Sequence, residues 1–322
     1  MTRIGLIGTG DVAHVHTAGL LTNSNYEIVG CYSPENCRSV IMAQRYRLIS
    51  CSSPEALLKY ADAVDIADNL PETMILAELS LKAMKHVFIA QPDRLSTEQW
   101  QYLKKLAEES GVILQSGTGY MYCPAYEILS ESMQAAKIVD IRHQLVNRSD
   151  PYARLNVELP YDFDFVTGIL QTGISKLDVK TWTKSENLPD MLHCRLECDN
   201  GCTVNLTAYT VVEGEPRLEF TFTSSDAVIR ADIFKSVIEK QYRTCDRVDS
   251  IILDAYSDSA IHQHYLQNFH RAICNKYDAI RSIDEQFRNK AAAGYIVDRI
   301  KQLQPASSSL CAGMTRIVFR RN

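Results

Sequence analysis

The chain has 322 residues, length for two domains or one large one, with 46% hydrophobic and 23% charged residues and a net charge of −5. That balance, without a long basic run, argues against a nucleic-acid surface. No apolar run reaches the roughly 20 residues of a membrane helix. The start "MTRIGLIGTG" enters a strand-like run at once and leaves no room for a signal peptide. A cytoplasmic location is therefore expected, with the ten cysteines as reduced thiols.

Short apolar runs alternate with helical patterns through residue 120. "RIGLIG", "YEIVGCYS", "AVDIAD", "HVFIA" and "VILQSG" read as strands. Between them "VAHVHTAGLLTN", "PENCRSVIMAQRY", "SPEALLKY", "ETMILAELSLKAM" and "STEQWQYLKKLAEESG" read as helices. In the last, Ser96 and Gln99 are spaced for a capping box and Gly111 supplies a stop. Such alternation calls for a parallel sheet with right-handed crossovers. After a helix over 124–135 the style changes. "KIVDIRHQLVN", "MLHCRLEC", "CTVNLTAYTVV", "RLEFTFTSSDAVIRAD" and "SVIEKQYR" are long and alternate apolar with polar residues. That pattern predicts a largely antiparallel sheet with one wet face. Two amphipathic helices, "IHQHYLQNFHRAICN" and "DEQFRNKAAAGYIVDRIKQLQ", precede the tail "PASSSLCAGMTRIVFRRN".

Several residues suited to metal binding have plainer readings. In "HCRLECDNGC" the "DNG" is a hairpin turn, so Cys194 and Cys198 share one strand face as packed thiols. His14 and His16 stand two apart on a helix, as do His262 and His264. Rings so spaced diverge by about 200° and cannot share an ion. No metal site is expected.

The strand-to-helix turn "GLIGTGDVA" carries the chemistry. It supplies Gly8, Thr9, Gly10, Asp11 and Val12, then Ala13 in place of a third glycine. Gly8 permits a tight turn, Gly10 lets backbone approach a pyrophosphate, and the helix start offers N–H groups to the anion. NADP or NAD is the implied cofactor. The second strand ends in Ser33 instead of a ribose-binding acid, with Arg38 in the next helix, and the reading leans to NADP.

The order of these segments resembles the Gfo/Idh/MocA family of glucose–fructose oxidoreductase and inositol dehydrogenase. "RIGLIGTGDVAHVH", "ADAVDIADNLPET", "KHVFIAQP", "YDFDFVTGIL" and "LQNFHRAI" each resemble a family segment. The resemblance implies a Rossmann domain over 1–120, an α/β domain with an open, largely antiparallel sheet over 121–304, and a tail over 305–322. It also implies hydride transfer between nicotinamide and a hydroxyl-bearing carbon of a sugar, cyclitol or related polyol. Asn69, Leu70 and Ala90 fall along the expected cofactor cleft. Where the family has Glu-Lys-Pro this chain has Ala90, Gln91 and Pro92. Glutamine donates a hydrogen bond but carries neither charge nor titrating proton. Thr73 stands where a histidine is common. Tyr161 and Asp164 align with the family's acid–base pair, and Arg142, His143 or Arg148 are candidates for the missing cation. The expected partners are a small polar substrate and further copies of the chain, as a dimer or tetramer, with neither nucleic acid nor membrane. Two readings follow: a working NAD(P)-dependent oxidoreductase, or a catalytically impaired relative acting as a nucleotide- or sugar-binding sensor or assembly subunit.

Overall fold

The computed structural model describes the chain apart from residues 93–94, 118, 147–150, 183–190, 212, 254–257, 276–282, 303–312 and 319–322. It divides into two units, Met1–Thr118 with Ser257–Ile283, and Gly119–Tyr256 with Asp284–Asn322.

The first unit alternates β1 (Thr2–Ile7), α1 (Asp11–Thr22), β2 (Tyr26–Tyr32), α2 (Asn36–Tyr46), α3 (Pro54–Leu58), β3 (Ala63–Ile66), α4 (Thr73–Lys82), β4 (His86–Ile89), α5 (Thr97–Ser110) and β5 (Leu114–Ser116). Its strands pair in parallel in the order β2-β1-β3-β4-β5. All four residues of β3 are buried, and so are all of β1 except Arg3, as strands covered by helices require. The capping box of α5 forms: Ser96 accepts from the Gln99 amide, and Gln99 Oε1 accepts from the Ser96 amide at 2.9 Å. Gly111 ends the helix at φ +66°.

The second unit begins with a short turn at Gly119–Tyr122. It continues through α6 (Pro124–Ser132), β6 (Ile138–Val146), α7 (Pro151–Leu170), β7 (Ile174–Trp182), β8 (Met191–Cys198), β9 (Thr203–Val211), β10 (Arg217–Thr223), β11 (Ala227–Asp232), β12 (Val237–Tyr242) and β13 (Val248–Ile252). The chain then crosses back as α8 (Asp258–Asn275), and ends with α9 (Ile283–Gln302) and β14 (Gly313–Val318). Nine strands form one sheet in the order β13-β12-β11-β10-β6-β9-β8-β7-β14, antiparallel except where β6 meets β9. Burial alternates along β8, β10 and β11, so one face is apolar and the other polar. Phe163, Phe165, Phe220 and Phe222 lie at the centre of its core.

The architecture is α/β, with a doubly wound parallel sheet and a larger, mostly antiparallel one. Two features differ from the expected division. The first break falls at 118, two residues from the expectation, but α8 belongs to the first unit. There Leu266 and Phe269 complete the core with Ile4, Leu6 and Phe88, and the Tyr26 hydroxyl donates to the Leu266 carbonyl at 2.7 Å. Within the expected tail, 313–318 pairs with β7 as an edge strand. Neither contact is local, so neither shows in periodicity.

Candidate functional site

At the carboxyl end of β1 the chain turns through Gly8, whose φ of +123° suits glycine alone. Gly10 caps α1 without a side-chain partner. Into this loop the sheet delivers Asp68, just beyond β3. Its Oδ2 accepts hydrogen bonds from the Thr9 amide at 2.5 Å and the Gly10 amide at 2.6 Å. A Cβ on Gly8 would meet that oxygen at 2.7 Å, and one on Gly10 would meet Oδ1 at 3.0 Å. The cradle binds an anion, and the anion it holds is a carboxylate of its own chain. Asp68 is not among the residues expected from the sequence. An acid three residues beyond Asp65 in "VDIAD" was visible, but its bond to the loop depends on β1 and β3 lying side by side.

The other cofactor candidates sit around this turn. Asp11 and Val12 open α1. Ser33 is buried beside the loop, with the Thr9 hydroxyl 3.5 Å from its Oγ. The Arg38 guanidinium pairs with Glu35 at 2.7 Å on an exposed turn, which gives it an anion within its own helix start. Asn69 follows Asp68, and its Oδ1 is buried without a hydrogen-bond partner among the described residues. Leu70 turns back, its amide donating to the Asp68 carbonyl at 2.9 Å. Ala90 follows β4 against Gly117, where a Cβ would meet the Ala90 carbonyl at 2.7 Å. Gln91 comes next, half-buried. Thr73 is buried as the first residue of α4, its hydroxyl donating to the Leu70 carbonyl at 2.8 Å.

Deeper in the same unit His16, Asp65 and His262 meet. Their ligand atoms lie within 4.8 Å of one another. His16 Nδ1 is 2.8 Å from Asp65 Oδ2, and the His262 ring stacks on His16 at 3.6 Å with planes 18° apart. Rings so nearly parallel cannot both aim in-plane lone pairs at one ion, so the group forms a buried His–Asp contact covered by an imidazole. Each "HxH" motif contributes one ring; α1 and α8 bring together what spacing within either motif could not. Burial, with His16 beside it, drives the His262 pKa down to about 2.

In the second unit Tyr161 and Asp164 stand on α7. Tyr161 is half-buried, its ring edge-on to Tyr120 with centroids 6.2 Å apart. Asp164 is buried and accepts from Asn289 Nδ2 of α9 at 2.7 Å. Between them in sequence is Asp162, fully buried, 2.8 Å from His143 Nδ1 of β6. Burial holds the Asp162 carboxyl above its usual range against the pull of His143. The Tyr120 ring meets His143 edge-on at 6.2 Å, and the Tyr120 hydroxyl donates to Glu158 at 2.5 Å. Of the expected stand-ins for a cation, His143 therefore reaches α7, while Arg142 alternates to the exposed face of the sheet. Arg148 lies outside the described residues. The cysteines of the β8–β9 hairpin pack as thiols, with burial pushing Cys198 up to about 12 and Cys202 up to about 11.

A parallel sheet with a glycine turn between its first strand and helix has the architecture of the dinucleotide-binding class of folds. Residues 2–118 match the description "Oxidoreductase family, NAD-binding Rossmann fold" of Gfo/Idh/MocA proteins. Over 300 residues, 90% of this chain and 89% of the relative, it is 24% identical to a UDP-N-acetylglucosamine 3-dehydrogenase of Acidithiobacillus ferrooxidans. It is 27% identical to a glucose-6-phosphate 3-dehydrogenase of Bacillus subtilis over 132 residues, 40% of this chain and 37% of that one. Its fold matches a solved structure of the Acidithiobacillus enzyme with a TM-score of 0.81 at 20% identity, covering 94% of this chain and 99% of the other. It also matches GenD2 from gentamicin A biosynthesis, solved in complex with NAD, at 0.75 and 14% identity, covering 99% and 97%.

Proposed function

We propose that this chain is an NAD(P)-dependent dehydrogenase that moves a hydride between nicotinamide and a hydroxyl-bearing carbon of a sugar or related polyol. The observation that carries the reading is the glycine turn, whose Thr9 and Gly10 amides converge on one anionic oxygen. The bound dinucleotide would supply the hydride acceptor; Gly8, Thr9, Gly10, Asp11 and Val12 would hold its phosphates. Asn69, Leu70 and Ala90 would line the nicotinamide side. The two curated relatives are dehydrogenases acting at carbon 3 of a hexose derivative, which supports a hexose derivative as substrate.

Alcohol oxidation also needs a group that takes the hydroxyl proton. Gln91 can orient the substrate oxygen but cannot take that proton. Tyr161 is the proposed acid–base residue, with Asp164 fixing α7 and the buried His143–Asp162 pair setting the field around it. Ser33 and Arg38 support NADP over NAD, while Glu35 beside Arg38 opposes it. The polar face of the nine-stranded sheet suits a homo-oligomer joined by hydrogen bonds and ion pairs. No described helix is long and apolar enough to cross a membrane, and a cytoplasmic location is part of this reading.

Calorimetric titration with NADH, NADPH and their oxidised forms, followed by turnover with nucleotide-sugar and sugar-phosphate hexoses, tests the reading. Micromolar binding and Tyr161-dependent turnover are expected, with Tyr161→Phe losing at least 100-fold in kcat, in the range of lost general-base catalysis. Turnover that survives Tyr161→Phe would remove the residue from the mechanism. Ala90 and Gln91 favour a second reading, a binding protein without turnover. Gln91→Lys separates the two: a gain of turnover marks a decayed site, a loss marks a working one. Analytical ultracentrifugation showing a monomer would set aside the oligomer.

A further inference from the structure

Asp68 is placed by the sheet itself. Ile66 pairs with Ile7 at the end of β1, and the Ala67 amide donates to the Ile7 carbonyl at 2.9 Å. The carboxylate then falls at the Gly8 turn, and its Oδ2 takes the Thr9 and Gly10 amides together. The absence of a Cβ at Gly8 and Gly10 makes room for this side chain, since a Cβ at either position would come within 2.7 or 3.0 Å of its oxygens. Among the described residues no lysine, arginine or histidine forms an ion pair with Asp68. The backbone amides are the partners it has.

A phosphate and this carboxylate are both anions and accept hydrogen bonds from the same donors. They cannot occupy the cradle at once, and they repel when adjacent. We infer that Asp68 is an intrachain competitor of the dinucleotide pyrophosphate and is the residue that sets cofactor affinity. The inference rests on the cofactor reading above. Binding must swing the carboxylate out of the loop, break two charge-assisted hydrogen bonds and leave a negative side chain near the incoming anion. Removing the charge weakens the competitor and ends its repulsion of the phosphate, and removing the side chain empties the cradle.

The test is calorimetric titration of the full chain, of Asp68→Asn and of Asp68→Ser with NAD⁺, NADH, NADP⁺ and NADPH. Asn keeps the side chain's size; Ser vacates the cradle, and each variant's thermal melt verifies its fold. At least a tenfold fall in Kd for the preferred dinucleotide is expected in both variants. Equal or weaker binding in both, with wild type binding normally, overturns the inference and leaves the cofactor reading intact. Failure of all three proteins to bind any form at millimolar concentration overturns the cofactor reading, and the inference with it.

Discussion

Both ring nitrogens of His262 are buried without a hydrogen-bond partner among the described residues, and so is Oδ1 of Asp65 beside it. Buried polar atoms left unpaired cost on the order of 1–3 kcal/mol each, so this group of three residues is a point of stored instability. It makes stability depend on pH. The folded His262 pKa of about 2 lies below the unfolded value near 6.5, so below that value the unfolded chain takes up a proton that the folded chain refuses. Stability is full above about pH 6.5 and falls as pH drops towards 2, by up to about 1.4 kcal/mol per pH unit. Urea unfolding at pH 7.5 and 5.5 should show wild type losing about 1.4 kcal/mol more than His262→Leu. Equal losses would mean that the folded ring is protonated. Asp65→Asn should cost on the order of 1–3 kcal/mol, because it disturbs the buried contact with His16 Nδ1 at 2.8 Å. At the same scale the sequence placed Tyr161 and Asp164 on one helix, and both lie on α7. The acid that contacts a histidine, Asp162, was not legible in the sequence: its partner is on β6, and only the packing of α7 on that strand selects it.

At the scale of elements, the cap and stop of α5 form as their spacing predicts, whereas a turn splits the expected single run "RLEFTFTSSDAVIRAD" into β10 and β11, and β7 and β13 were not among the expected strands. Ser96 and Gln99 are three apart and close a box whichever sheet the helix packs on. Ser96→Ala should lower stability by about 1 kcal/mol. Gly111 sits at φ +66° with open space where a Cβ would stand, so Gly111→Ala should cost about 1–2 kcal/mol from backbone conformation alone. Denaturant midpoints of the two variants check both values, and an unchanged midpoint for Gly111→Ala would mean the turn relaxes. The "DNG" turn behaves likewise, with Gly201 at φ +82° between two paired strands. Alternation along β6 also decided which residue faces the core: His143 is inside and Arg142 outside because a strand repeats every two residues.

At the scale of the whole chain, the order of strands is the outcome that spacing alone did not disclose. The last strand, β14, closes one edge of the nine-stranded sheet by pairing with β7 from Gly313↔Thr181 to Val318↔Lys176. A chain ending at residue 312 would present β7 as an unpaired edge, a template for pairing with other chains. Such a truncation should melt several degrees lower and scatter more light on heating. Unchanged melting and scattering would show that β14 contributes little. The return of α8 to the first unit belongs to this scale too. That unit's core includes Leu266 and Phe269, so residues 1–118 expressed alone lack part of their own interior.

The sequence by itself determined the alternation of strands and helices, the glycine turn, the cap and stop of α5 and the change of style after residue 120. Each follows from backbone preference or from hydrophobic period over a few residues, and those act before any distant contact forms. Tertiary structure decided which polar groups meet. It set Asp68 into the glycine turn through the pairing of β1 with β3, joined His16 to His262 through α1 and α8, tied Asp162 to His143 through α7 and β6, and sent the tail back to the sheet. A carboxylate's partner is chosen by what lies within about 3 Å of it in space. Sequence separations of 58, 59 and 19 residues leave that choice to the fold.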